Sequence, residues 1–526
     1  MKEKFRRYWA LVLVFVIVTG VCFMFAGRKS GMFIDEIYAY GLSNSHYAPF
    51  LTDIKDGEMV GKTFTRQELF DYVAVTDGER FDAGSVYYNQ VHDVHPPLHY
   101  WLLNAVCSLF PDTFSKWTGL ALNYVLYMLT MFVLYKTVRK LGYSRGSGTA
   151  AAVLYGLSVI GMSTFVMIRM YMLLTLLTVV LMYLIACLMR EFRPKYCILT
   201  GLVLLAGLIT QYYFVFYAFF LCAAYVIYAL VKKEYKALAW FIPCALVGVL
   251  GLLLVFPACL DHLFADKLVS GGNAMENLRN FAQYPVRLKT FISFVTHGLK
   301  AAIIIALLAV IALCVYFKKF RAAAKDRKFD LRALVLIVPA LIVFVIVALI
   351  SPVDEPRYIY NLVPAFVLAA CLLLYLLEET LGSFEREGLI KTAALLAIMA
   401  LALWQARCAP PDYLYTEYAE YDAIVAEHSD DKCVYFSDNR FEAITQDLLQ
   451  LMAFDDFYVS DDTELIGALD YVGGADEFVA YVDISEFWSS GYDPDKIISA
   501  LADTSDYDKA ELLYQNGLSA TYLISK

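Results

Sequence analysis

Two clusters of ionisable side chains bracket a polar stretch near the start of the chain. The first is Phe33-Ile34-Asp35-Glu36-Ile37-Tyr38; the second is Gln90-Val91-His92-Asp93-Val94-His95-Pro96-Pro97-Leu98-His99-Tyr100-Trp101. A carboxylate set among apolar residues loses hydration, which raises its pKa and tunes it for general-base work. Asp35-Glu36 fits that description, and it fits equally a pair of acids favoured by a helix N-terminus. His92, Asp93 and His95 offer two imidazoles and a carboxylate, donors that suit zinc or manganese. The other reading is a rigid turn, because Pro96 and Pro97 forbid a regular helix and fix the backbone. Two arginine-tyrosine motifs follow, Arg169-Met170-Tyr171 and Asp354-Glu355-Pro356-Arg357-Tyr358-Ile359-Tyr360. Arginine binds phosphate through paired donors; at a membrane boundary it also anchors by snorkelling.

The elements that must hold these residues are membrane helices. The 526 residues are 60% hydrophobic and 18% charged, with a mean hydropathy of +0.57, far from the half-apolar, quarter-charged average of soluble domains. Lys2, Lys4, Arg6 and Arg7 precede the apolar run Tyr8–Ala26, which exceeds a signal-peptide core and reads as a retained first helix with its basic end in the cytoplasm. Further apolar segments fall at 97–110, 116–135, 147–167, 170–189, 196–212, 213–231, 238–258, 291–317, 332–350, 358–377 and 389–406. The segment at 97–110 is short and begins with two prolines, which suits an interfacial helix. With that segment off the count, the basic connectors Lys136–Arg145, Arg190–Lys195, Lys232–Lys236 and Lys318–Lys328 all fall on the cytoplasmic side. The expectation is a polytopic α-helical membrane domain over 1–406 with about 11 spans, and an outer loop over 27–110 carrying the acidic motif and the interfacial helix. The long loop Cys259–Lys289, with Lys267, Arg279, Arg287, Lys289 and the pair Gly271-Gly272, is also outside. It reads either as a cover over a bound lipid or as a surface amphipathic segment.

The tail is physically different. Residues 409–526 carry 26 Asp and Glu against 5 Lys and Arg, leaving 26 acids and 38 bases for the rest. A net basic membrane body attracts anionic head groups and phosphates, and no nucleic-acid partner is expected for a chain of this kind. The tail has strand-like runs at 434–436, 457–459, 478–482 and 521–524. Helical runs with acidic starts fall at 441–452, 463–469 and 495–501, so a small C-terminal α/β domain outside the membrane is expected. Most of the eleven cysteines sit inside apolar runs, where a small apolar side chain is the plain reading.

An acidic pair just past the first membrane helix, an HPP motif closing that loop, and later R-x-Y and RY motifs resemble the C-type (GT-C) membrane glycosyltransferases, in particular family 39. Its kin include protein O-mannosyltransferases and aminoarabinose transferases. The resemblance covers roughly residues 1–406. It implies an inverting transfer of one sugar from a polyprenyl-phosphate carrier to a glycan, lipid or protein acceptor outside a bacterial cytoplasmic membrane. By that analogy Asp35 is the base, Glu36 positions it, and His95, with His92 and Asp93 beside it, orders the loop or meets substrate. Arg357 with Tyr358, and Arg169 with Tyr171, would face the lipid phosphate. Some relatives use a divalent metal and others do not. A carrier-linked donor also accounts for the missing glycine-rich nucleotide loop. A flippase of lipid-linked sugars, or a non-catalytic scaffold displaying the acidic tail, are the rival classes. A flippase would favour matching repeats and mid-membrane charges.

Overall fold

The computed structural model describes residues 2–264, 275–326, 329–382, 387–438, 441–461, 465–485 and 491–526. Expected features at Lys267, Gly271-Gly272 and Thr463 lie outside the described residues. The chain divides into two compact units. One comprises Met1–Gly27, Val94–His99 and Leu120–Asp412; the other comprises Arg28–Asp93, Tyr100–Gly119 and Tyr413–Lys526.

The first unit is helical. Among the described residues, seven helices are long and apolar enough to cross a membrane, or nine if each of two bent pairs is one span, and Pro194–Leu208 and Leu334–Ile350 are shorter apolar helices. Each segment expected to span falls on one of these helices or pairs, though the two shorter helices are not long enough to be counted with the seven to nine. Two of them are not single rods. The segment at 147–167 is two helices, Arg145–Gly156 and Val159–Val166, bent by 59°. Ser158 restarts the helix by accepting the Gly161 N–H at 3.0 Å. The segment at 291–317 breaks by 88° between Gly298 and Lys300. Buried Gln405 satisfies the broken backbone from both sides: its Nε2 donates to Gly298 O at 2.9 Å and its Oε1 accepts from Ala301 N at 2.7 Å. Irregular backbone at membrane depth is tolerated where protein supplies such partners. A Cβ on Gly298 would lie 2.8 Å from that of Ile160, so glycine lets the two broken segments meet.

The second unit is built on a six-stranded sheet of order β1-β3-β2-β4-β6-β5. The strands are β1 (Thr63–Thr65), β2 (Lys432–Phe436), β3 (Asp456–Ser460), β4 (Glu477–Asp483), β5 (Lys509–Gln515) and β6 (Ser519–Ser525). The central strand β2 pairs in parallel with β3 and β4, and the other pairings are antiparallel. Parallel strands are covered on both faces, and residues 433–436 and 478–483 are buried without alternation. Val434, Phe436, Phe478, Val482 and Ile524 pack with Ile497 and Leu501, each such side chain contributing about 1.5–3 kcal/mol.

This grouping departs from the expected domains, which set loop 27–110 with the membrane body and 409–526 apart. The loop supplies β1, whose Thr63–Thr65 pair with Asp456–Tyr458 of the tail. The backbone N–H groups of Ser30 and Gly31 donate to Leu414 O and Tyr415 O at 2.9 and 3.1 Å. The run at 441–452 is also two short helices, Phe441–Gln446 and Leu448–Leu451, parted at Asp447.

Candidate active site

Within the second unit, the acidic motif opens helix α1 of the site (Ile34–Asn44). The two adjacent carboxylates have different surroundings. Glu36 is fully buried, and its Oε2 accepts from Lys29 Nζ at 2.9 Å and from the Phe33 N–H at 2.8 Å. Lys29 is equally buried and also donates to Tyr413 O at 2.6 Å. Burial lowers the Lys29 pKa, and Glu36 opposes that shift. Glu36 therefore fixes the start of the helix, as a side chain reaching back to an orphan N–H does. Asp35 stays half-buried one residue earlier. Its charge reaches Tyr38, whose phenol is raised chiefly by burial, with Glu442 and Tyr72 ahead of Asp35 among the lesser causes. Tyr38, Phe50 and Phe441 form a ring cluster, with Phe50 and Phe441 centroids 4.7 Å apart.

The histidine motif ends helix α2 (Ala83–His92). Asn89 Nδ2 ties that helix to the end of α1 by donating to Ser45 O at 2.9 Å. His92 is exposed, its Nδ1 2.9 Å from Tyr88 O and its ring tilted against that of Tyr88, with centroids 4.3 Å apart. Asp93 is half-buried and acts electrostatically on Tyr72, whose hydroxyl donates to Pro49 O at 3.0 Å. Among the described residues, the cluster with metal-donor spacing is His428, Asp431 and Glu477 in the tail. None of the residues singled out from the sequence belongs to it.

The remaining candidates fall in the first unit. Val94–His99 carries half-buried His95, buried Pro96 and Pro97, and fully buried His99. Leu98 N donates to Ile209 O at 2.9 Å, which pins the segment to the Pro194–Leu208 helix end. The sequence reading passed over His99. Burial, and secondarily Arg169, push its pKa down to about 3, so it stands as a neutral imidazole near a guanidinium. Arg169 itself is buried in the link between helices Val159–Val166 and Tyr171–Leu188. Buried Asn123 shapes that link by donating to Phe165 O at 2.9 Å and Met167 O at 2.7 Å.

Arg357 sits on the 3₁₀ turn Pro356–Leu362, 9% exposed, with Nε 3.2 Å from Glu355 Oε2. Tyr358 packs on Tyr213 at 5.6 Å, and Tyr360 meets Tyr171 edge-on at 6.0 Å. The two arginine-tyrosine motifs are thus brought together where Tyr360 of the 3₁₀ turn meets Tyr171 at the start of its helix. Arg287, expected in a long outer loop, lies instead in helix Tyr284–Gly298. There it braces the segment before Arg357, bonding Ala348 O at 3.1 Å and Asp354 at 3.0 Å. The loop ends earlier than expected because Pro285 is well placed in a first helical turn.

In fold, this chain is similar to the C-type membrane glycosyltransferases, the group that includes ArnT. Residues 94–260 match the family model described as dolichyl-phosphate-mannose-protein mannosyltransferase. The structure is similar to ArnT from Cupriavidus metallidurans bound to undecaprenyl phosphate, at a TM-score of 0.52 and 13% identity over 98% of both chains. An Archaeoglobus fulgidus oligosaccharyltransferase tethered with an acceptor peptide gives 0.46 at 10% identity, over 92% of this chain and 70% of that one. Arabinofuranosyltransferase AftD from Mycobacteria gives 0.41 at 13%, over 97% and 40%. No curated protein matches the chain by sequence.

Proposed function

We propose that this protein is an inverting glycosyltransferase that moves one sugar from a polyprenyl-phosphate carrier to an acceptor at the outer face of a bacterial cytoplasmic membrane. The observation that carries the reading is the split environment of Asp35 and Glu36. Two carboxylates in different surroundings take different tasks. Glu36 is fully buried and engaged by Lys29 and the Phe33 N–H, whereas Asp35, half-buried in the first turn of the same helix, accepts the proton of the acceptor hydroxyl. That oxygen attacks the anomeric carbon as the bond to the carrier phosphate breaks, and the phosphate leaves with the electron pair. Arg357 stabilises the charge that grows on it, which is a transition-state interaction. Tyr358, Arg169 and Tyr171 support the phosphate side, Asn123 shapes the link that carries Arg169, and His92, Asp93 and His95 order the loop. The undecaprenyl phosphate bound by the ArnT structure is the kind of carrier this reading requires.

The test is single turnover of purified protein in nanodiscs against a panel of polyprenyl-phosphate sugars. The wild type is expected to release free polyprenyl phosphate from one or more donors. Arg357→Ala should release it about 100- to 1,000-fold more slowly, as loss of a preorganised donor at a developing oxyanion does. Full-rate release by Arg357→Ala would remove that residue from the phosphate. Transbilayer movement of intact donors, without release, would assign the protein to transport.

A further inference from the structure

The connector between the apolar helices Lys300–Val315 and Leu334–Ile350 contains a helix of its own, Phe317–Asp326. Its sequence begins Phe-Lys-Lys-Phe-Arg-Ala-Ala-Ala-Lys. At 3.6 residues per turn, Lys318, Lys319, Arg321 and Lys325 fall on one side, and Phe317, Phe320, Ala323 and Ala324 on the other. The structure keeps this division. All four cations are exposed; on the other side Phe320 and Ala323 are partly covered, with Phe320 stacked on Phe329 at 5.6 Å, while Phe317 and Ala324 are exposed. Among the described residues, no ion pair engages the four cations.

Two features select the partner. The helix starts one residue after Tyr316, which ends the apolar helix, and the chain enters the next apolar helix by residue 334, so covalent connection holds it at the membrane–water boundary. Beside the cations, Val315, Tyr316 and Phe317 are 73, 42 and 57% exposed, an apolar edge level with the end of a span. A basic face joined to an exposed apolar edge is the pattern of a helix lying in the interface of an anionic bilayer. An acidic protein would match the charge but not the apolar edge.

We propose that helix Phe317–Asp326 is a binding surface for the headgroups of anionic phospholipids. The full chain would be reconstituted in a mixture of phosphatidylglycerol and phosphatidylcholine, and the ratio of the two lipids retained on the protein measured. In 50 mM salt the wild type is expected to retain phosphatidylglycerol several-fold above its bulk share. The quadruple variant Lys318→Gln, Lys319→Gln, Arg321→Gln, Lys325→Gln keeps good helix formers and is expected to lose most of that excess, up to about fivefold per charge. A second variant with the same charge loss elsewhere, Lys195→Gln, Lys232→Gln, Lys233→Gln, Lys236→Gln, is expected to keep it. Raising salt to 500 mM should reduce the wild-type excess through screening, a readout that does not depend on any variant folding. No excess in the wild type, insensitivity to salt, an unchanged ratio in the helix variant, or an equal loss in the second variant would each overturn the proposal.

Discussion

At the scale of residues, neighbouring Asp35 and Glu36 have different surroundings, and the proposed roles follow that difference. A buried ion pair is held at a large desolvation cost, so removing one partner is worse than removing both. Lys29→Met is expected to destabilise the second unit by about 3–5 kcal/mol, because Glu36 is left buried and charged. Adding Glu36→Gln should restore most of that loss, since Gln still accepts from Phe33 N. Thermal unfolding of the two variants checks this, and equal stability of the single and double variants would contradict it. Asp35 and Glu36 were legible as a pair, and the resemblance divided their roles, but the physical difference in their surroundings was not legible. Nothing in a local sequence places Lys29 opposite Glu36, since the buried geometry also involves the backbone of Tyr413, nearly 400 residues away. Histidine was misleading in the same way. His92 draws attention in the motif yet turns back to its own helix, whereas His99 is buried near Arg169 and reads in sequence as one residue of an apolar run.

At the scale of elements, apolar length was a sound guide to helices and a poor one to their breaks. The breaks at Ser158 and Leu299 depend on a cap and on Gln405, more than 100 residues further along. The strands β2, β3, β4 and β6 were readable as apolar runs. Strand β5 was not, because Lys509–Glu511 face solvent at a sheet edge, and three-residue β1 is too short to leave a pattern. The interruption at Asp447 has a measurable consequence. Its buried carboxylate accepts from Tyr435 at 2.8 Å and Asn516 at 2.6 Å, yet desolvation dominates and raises its pKa to about 6. A carboxyl with a raised folded pKa stabilises below its unfolded value near 4, and that contribution is lost as pH rises through 6. Between pH 4.5 and 7.5 the wild type should therefore lose about 2–3 kcal/mol relative to Asp447→Asn. Parallel pH profiles for the two proteins would contradict this.

At the scale of the whole molecule, the loop after the first apolar helix and the acidic tail are one folding unit rather than a loop and an appendage. Residues 28–31 and 61–66 make backbone hydrogen bonds with residues 414–415 and 455–459. Deleting 413–526 should therefore unfold the loop as well, and Lys55, Arg66 and Arg80 should become rapid tryptic sites. An unchanged digestion pattern would contradict that. The loop over 28–93 and the tail then depend on each other for stability, and the tail cannot be removed to test acceptor choice alone. The fold class was legible because spans, an outer loop and a charged tail are written in composition, whereas the shared sheet depends on a three-residue strand. The most direct test of the central claim compares wild type with Asp35→Asn in single turnover, measuring free polyprenyl phosphate with donor and acceptor bound. The account predicts unchanged donor binding and a rate about 100- to 10,000-fold lower, the range for loss of a general base. Release by Asp35→Asn at the wild-type rate would contradict it.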